Sequence, residues 1–218
     1  MTTASPTTAT VTTATGSSGF ETDGGLANGQ QCMSDFECAS GMCFLSGILG
    51  GICGDCLGDD DCEWGCTGPN PLSDPPEGSY CNMGLLGDGC QMTDACMSPF
   101  VCATILDVPG VLLRNTCSEC LTDAECFGGL CSPDLDITSL DGARLCVAAF
   151  SKPLGSFCDL DGGDNECSTG HCGVADINGL LQLGVCSDCS TDDDCIIGES
   201  CVSPTVDLDG TISPGYCE

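Results

Sequence analysis

Basic side chains are almost missing from this chain: Arg114, Arg144 and Lys152 stand against 33 acidic residues, a formal charge of −30 over 218 residues. No basic patch can neutralise phosphates, which excludes nucleic acid, and anionic lipid surfaces by themselves, as natural partners. Aromatic residues are also scarce, with seven Phe, two Tyr and one Trp. The single large core that a globular domain of roughly 200 residues needs is therefore not expected. No run approaches the stretch of about 18 apolar residues that a membrane span requires. The opening "MTTASPTTATVTTATGSSGF" has neither the basic start nor the apolar centre of a signal peptide, so we expect a mature segment or part of a longer protein. N-x-Ser/Thr sequons are absent, and N-glycosylation with them. His171 is the one histidine. Nucleophile–histidine arrangements have no second imidazole to draw on, and the expectation is that the protein is not an enzyme.

What the chain has is cysteine, 24 of them in three blocks of eight, each with one CxxC at its centre: Cys53 to Cys56, Cys117 to Cys120 and Cys186 to Cys189. First cysteines at 32, 90 and 158 give a repeat of roughly 60 to 70 residues. A tail over residues 1–28 and repeats over 29–86, 87–154 and 155–218 follow. The same four-cysteine pattern recurs on both sides of every CxxC, which divides the repeats into six half-units with no thiol left over. Four cysteines allow three connectivities. We favour first-to-third and second-to-fourth. That pairs Cys32 with Cys43, Cys38 with Cys53, Cys56 with Cys66, Cys62 with Cys81, Cys90 with Cys102 and Cys96 with Cys117. In the second half of the chain it pairs Cys120 with Cys131, Cys126 with Cys146, Cys158 with Cys172, Cys167 with Cys186, Cys189 with Cys201 and Cys195 with Cys217. Cross-links must here substitute for burial, and they persist only in an oxidising compartment, so the expected location is extracellular or the cell surface. The fold class is small disulfide-rich modules in tandem, with short β-hairpins, single helical turns and little other regular structure, in an elongated array.

Between the cysteines a local grammar repeats. Before the second cysteine come "SDFEC", "GDDDC", "TDAEC" and "TDDDC", which read as capped helical turns opened by Asp35, Asp59, Asp123 and Asp192, with capping boxes at Ser34–Glu37 and Thr122–Glu125. A Gly precedes the third cysteine in five of the six half-units, as a left-handed residue ending the turn would. Between the third and fourth cysteines lie hairpins, with turns expected at Pro109–Gly110, Asp141–Gly142, Asn178–Gly179 and Asp209–Gly210. Their apolar faces (Ile105, Leu106, Val111, Leu112, Leu113, Leu180, Leu181 and Leu183) should pack on a neighbouring half-unit or on another subunit. The tail reads as a linker or as an O-glycosylated stalk, with Thr2, Thr3, Thr7, Thr8, Thr10, Thr12, Thr13 and Thr15 as candidate acceptors. Its "TATVTTAT" also suits a strand that docks on a neighbour's sheet edge.

Metal and redox readings compete with these. Zinc needs two facing CxxC knuckles and each block has one; redox catalysis wants a thioredoxin-like surround that is missing. Calcium fits "CDLDGGDNEC" better, where Asp159, Asp161, Asp164 and Glu166 supply hard oxygens, although the segment fails the EF-hand pattern. A solvated acidic loop is the alternative. His171 is expected to fill a gap in its module.

Half-units such as "CLTDAECFGGLCSPDLDITSLDGARLC" resemble the cysteine-rich repeats of secreted myxobacterial proteins, and more loosely the N-terminal cysteine-rich domain of Dickkopf proteins. The resemblance covers residues 29–218 and implies secretion, disulfides and a role in surfaces or interactions. From all this we expect a non-catalytic extracellular structural protein, a subunit of a fibril or surface appendage that self-associates. The alternative is a binding module, of adhesin, signalling or protease-inhibitor type, that uses the hairpins as contact loops.

Overall fold

The computed structural model describes residues 24–45, 50–108, 112–177, 179 and 181–218. The threonines of the tail, the Pro109–Gly110 turn, Asn178, and Val111 and Leu180 of the apolar faces lie outside the described residues. Small disulfide-bonded modules follow one another along the chain, and among the described residues their regular elements are two three-stranded sheets, strand pairs and three-residue 3-10 turns. In every half-unit the first cysteine is bonded to the third, closing 10 to 14 residues, and the second to the fourth, closing 15 to 22. Loops of this size are worth about 3 kcal/mol each in the chain-entropy account. No cysteine is free. Such cross-linking is that of a disulfide-stabilised extracellular protein.

The acidic motif before the second cysteine forms its turn, but the leading residue bonds elsewhere than a helix cap would. Asp35, Asp59, Asp123, Asp164 and Asp192 each accept from the backbone N–H of their half-unit's third cysteine, at 2.7 to 2.9 Å. In half-unit 3 the Thr93 hydroxyl takes this place, 3.3 Å from the Cys102 nitrogen. The first-to-third disulfide brings that N–H over the turn, and the carboxylate satisfies it. The last acidic residue reaches backwards, as Glu37 does to the Met33 N–H at 2.7 Å and Asp61 to that of Leu57 at 2.8 Å. Of the two expected capping boxes, Thr122–Glu125 forms only its carboxylate half, Glu125 accepting from the Thr122 N–H at 3.3 Å while the hydroxyl makes no cap bond, and Ser34–Glu37 forms neither half.

Four of the expected glycines, Gly41, Gly128, Gly170 and Gly198, have φ between 75° and 99°. Gly65 does not; a Cβ there would stand 2.6 Å from the Gly89 carbonyl oxygen of the next repeat. It permits close approach rather than a turn.

Hairpins Val101–Val108/Leu112–Ser118, Leu130–Asp136/Asp141–Val147 and Cys172–Ile177/Leu181–Cys186 are antiparallel, and the third cysteine pairs with the fourth across each. The second turns over residues 137–140, not at Asp141–Gly142. Asp136 accepts from Thr138 at 2.9 Å and seeds the turn early, and Ile137 and Leu140 bury themselves there. Asp209–Gly210 does turn, with Gly210 at φ 86°.

The hairpins supply one core that runs through four half-units. Ile105 and Leu106 of the third, Ile137 and Leu140 of the fourth, Phe157, Ala175, Ile177, Leu183 and Val185 of the fifth, and Val206 of the sixth are all buried in it. Leu181 packs partly against it, whereas Leu113 is exposed. Contact therefore extends past the nearest neighbour, as it also does where the Asn70 amide of half-unit 2 donates to the Ser139 carbonyl of half-unit 4 at 2.9 Å. The array is folded more tightly than a string in which each unit touches only the next. Among the described residues no helix is long and apolar enough to cross a membrane.

Candidate functional site

In a chain so poor in cations, the places where they sit are informative. Arg114, on a strand of half-unit 3, donates through Nη1 to the Gly68 carbonyl of half-unit 2 at 2.6 Å and through Nε to the Leu140 carbonyl of half-unit 4 at 2.9 Å. Its Nη2 pairs with Asp141 at 3.1 Å. Arg144 of half-unit 4 pairs with Asp159 of half-unit 5. Lys152, on the segment entering half-unit 5, reaches back to half-unit 4, where Nζ donates to the Ser132 hydroxyl and the Pro133 carbonyl, each at 2.6 Å. His171 of half-unit 5 lies with Nδ1 3.6 Å from Asp194 of half-unit 6. All four basic side chains bridge consecutive half-units, whereas the buried Asp59 is satisfied by backbone N–H groups alone.

Ser132, Lys152 and Glu166 form the most chemically suggestive cluster. A lysine can activate a serine nucleophile. Here the Ser132 hydroxyl donates to the Glu166 carboxylate, and Ser132 has no exposed surface. Burial pushes the Lys152 ammonium below its ordinary value and the Glu166 carboxyl above its own, and the attraction of each for the other opposes both shifts. With no path for a substrate to Ser132, the geometry is that of an internal joint.

Of the four proposed calcium ligands, Asp159 pairs with Arg144 and accepts from the Asp161 N–H, Asp164 accepts from Cys172, and Glu166 is buried on Ser132. Asp161 alone has an exposed carboxylate with no such engagement. Sulfur trios such as Cys32, Cys38 and Cys53 lie within 4.8 Å of one another, close enough to share a zinc ion if reduced, but every one is in a disulfide and carries no thiolate. An open crevice of about 260 Å³ runs between half-units 3, 4 and 5, walled by Ile105, Leu135, Phe157 and Leu183 with the Arg144–Asp159 pair at its edge. Its one cation is already neutralised.

At the end of the array, Asp194 is held down to about 2, chiefly by the Ser190 N–H, then by that of Thr191 and by the Ser190 hydroxyl, with His171 adding a little. The folded value lies below the ordinary 3.8, so this stabilisation is fully present above pH 3.8 and lost as pH falls through about 2. Carboxyl titration by NMR should give Asp194 a midpoint near 2; a midpoint at the ordinary value would contradict the bonds.

Each CxxC is the seam between two half-units, and each holds one buried hydroxyl. In repeats 2 and 3 it comes from the first residue inside the CxxC itself: Ser118 accepts from the Arg144 N–H, and Ser187 from that of Gly215, both at 2.9 Å. In repeat 1 the motif has Gly54 instead. A Cβ on Gly54 would fall 1.8 Å from the Ser79 hydroxyl, which occupies the space from the opposite side and donates to the Cys56 carbonyl at 2.5 Å. Ser79, Arg144 and Gly215 are equivalent, because their carbonyls accept from Asp55, Glu119 and Asp188 at 2.8 to 2.9 Å. Gly54→Ser alone should overpack the seam and cost about 1–3 kcal/mol. Adding Ser79→Gly recreates the pairing of repeat 3 and should recover most of that loss in denaturant unfolding. Equal losses in the single and double variants would refute the exchange.

Sequence reading missed these joints, since Lys152 and the two arginines were legible only as charge. Rarity was the available signal: in a chain of −30, each cation is a candidate for a specific acidic or carbonyl partner. No protein-family model, curated protein or solved structure matches the chain, so the likeness to secreted cysteine-rich repeats rests on cysteine spacing, and function is argued from geometry.

Proposed function

We propose that the protein is a non-catalytic structural component outside the cell that self-associates, as a subunit of a fibril or surface appendage. One observation carries this over the binding-module reading. Hairpins that a binding module would present as contact loops are consumed in the molecule's own core, with Ile105, Leu106, Ile137, Leu140, Ala175, Ile177, Leu183 and Val206 all buried there. The cations that could grip an acidic ligand are likewise spent on joints. What faces outward is a cross-linked acidic surface, suited to persistence and solubility rather than to turnover. Electron microscopy of native material, with intact mass before and after reduction, tests the proposal. Ordered polymers of the oxidised chain support it; a monodisperse monomer at every concentration would sink it.

A further inference from the structure

Odd and even half-units differ at one edge. In odd half-units the backbone on either side of the second cysteine is covered by the segment that leads into the module. Leu26 forms a parallel bridge with Cys38 and Lys152 one with Cys167. The Ala39 N–H donates to the Leu26 carbonyl and the Ser168 N–H to that of Lys152, both at 2.8 Å, and the Met97 N–H to that of Gly84 at 2.7 Å. Even half-units are entered through the short CxxC, which leaves no residues to lie there. Among the described residues, the Phe127 and Ile196 N–H groups and the Glu125 and Asp194 carbonyls, which occupy the equivalent positions, have no hydrogen-bond partner; the same holds of the Glu63 N–H and Asp61 carbonyl in half-unit 2, where the residue after the cysteine is charged instead of apolar. Phe127 is fully exposed, and Ile196 is 71% exposed beside a fully exposed Ile197. In half-unit 4 the edge borders a groove lined by Phe127, Gly129, Cys146 and Val147.

We propose that these two vacant edges, on half-units 4 and 6, each seat an extended strand, and that the strand is the segment 1–20 of a second copy of the chain. The proposal rests on the self-association reading and names its contact. The seat's own chemistry is displayed in half-units 1 and 5, where one residue, Leu26 or Lys152, bonds through both its N–H and its C=O to the backbone around a second cysteine; in half-unit 3 Gly84 offers only its C=O. Charge selects the donor. Residues 1–20 carry no charged side chain, whereas the remainder carries −30, so this segment can approach Glu125 and Asp194 without repulsion. Its Thr and Val content favours extended backbone. Five residues separate the segment from Leu26, which already fills the seat of half-unit 1 in its own chain. A donor from one copy and an acceptor edge on another make a heterologous contact, which propagates into open polymers.

The full-length oxidised protein tests this by sedimentation velocity across a concentration series, alongside amide hydrogen exchange. Two variants are compared with the unmodified chain: Phe127→Asp with Ile196→Asp on the seats, and Thr8→Asp with Thr10→Asp and Thr12→Asp on the donor. Both seat positions are exposed, so folding should be retained. Each variant should weaken association by about tenfold or more, the pair combined should do little further harm, and the Phe127 and Ile196 amides should exchange faster in both. Association unchanged by either variant would overturn the proposal and leave the fibril reading standing. A wild-type monomer whose two amides are protected only by the unmodified tail would show docking within one chain and overturn the second copy. A monomer with both amides unprotected would overturn the seats and the fibril reading together.

Discussion

Replacing Lys152 with alanine is expected to cost about 3 kcal/mol of folding free energy, because its ammonium, joined to the buried Glu166 carboxylate through the Ser132 hydroxyl, is lost, and hydrogen bonds to charged groups contribute roughly 1.5–3 kcal/mol each. The ammonium is the only positive charge in a joint where Glu166 is 3% exposed and Ser132 not at all. Without it the Ser132 hydroxyl and the Asp159 N–H remain as the carboxylate's hydrogen-bond donors. Burial already raises the Glu166 value above its ordinary 4.5, and loss of Lys152 raises it further. A raised folded value gives a definite sign. Protonated Glu166 is favoured in the folded chain, so the variant's penalty is absent below about pH 4.5 and grows as pH rises above it. Denaturant unfolding at pH 4 and pH 7, without reductant, should show a small loss at the first and the full loss at the second. Pairing Lys152→Met with Glu166→Leu should recover part of it, because well-packed apolar side chains then replace both buried charges and no carboxylate is left without its cation. A pH-independent loss would place the effect in packing instead.

Arg114→Ala should cost about 3 kcal/mol, since hydrogen bonds to charged groups contribute roughly 1.5–3 kcal/mol each and the carbonyls of half-buried Gly68 and buried Leu140 lose their donor. The side chain is 5% exposed and holds three half-units at once. Its loss should register most in half-unit 2, which places no residue in the shared core and depends on this contact, on Asn70 and on Asp59, whose carboxylate accepts from Gln91 at 2.6 Å and Met92 at 2.9 Å. Hydrogen exchange should therefore speed up around residues 66–82 while the hairpin core stays protected. Arg114→Lys should not rescue it, because one ammonium cannot span the fork of three acceptors. A lysine variant with wild-type exchange would contradict the assignment.

The parts of this architecture that were legible in sequence are those set by short spacing. Four cysteines at repeating intervals define a half-unit, and the Asp209–Gly210 turn lies inside one. The Asp before each second cysteine was visible as a turn residue, but its acceptance from the third cysteine's N–H was not, because the disulfide creates that proximity. Thr93, standing where the others have Asp, held the clue that an oxygen acceptor rather than a charge was required. The turn over residues 137–140 prevailed over the Asp–Gly that follows it because Leu140 and Ile137 had a core to enter, built by half-units 3, 5 and 6. Lys152 and Glu166 meet across a module boundary, and local pattern holds no trace of that meeting.

The claim that matters most is that the hairpins serve the molecule's interior rather than a ligand. Amide hydrogen exchange of the dilute, oxidised monomer measures this directly. The account predicts slow exchange along Val101–Val108, Leu130–Asp136 and Cys172–Ile177 with no partner present, in step with Val185 at the centre of the core. Fast exchange in these strands, slowed only when a second molecule binds, would contradict it and make the hairpins contact loops.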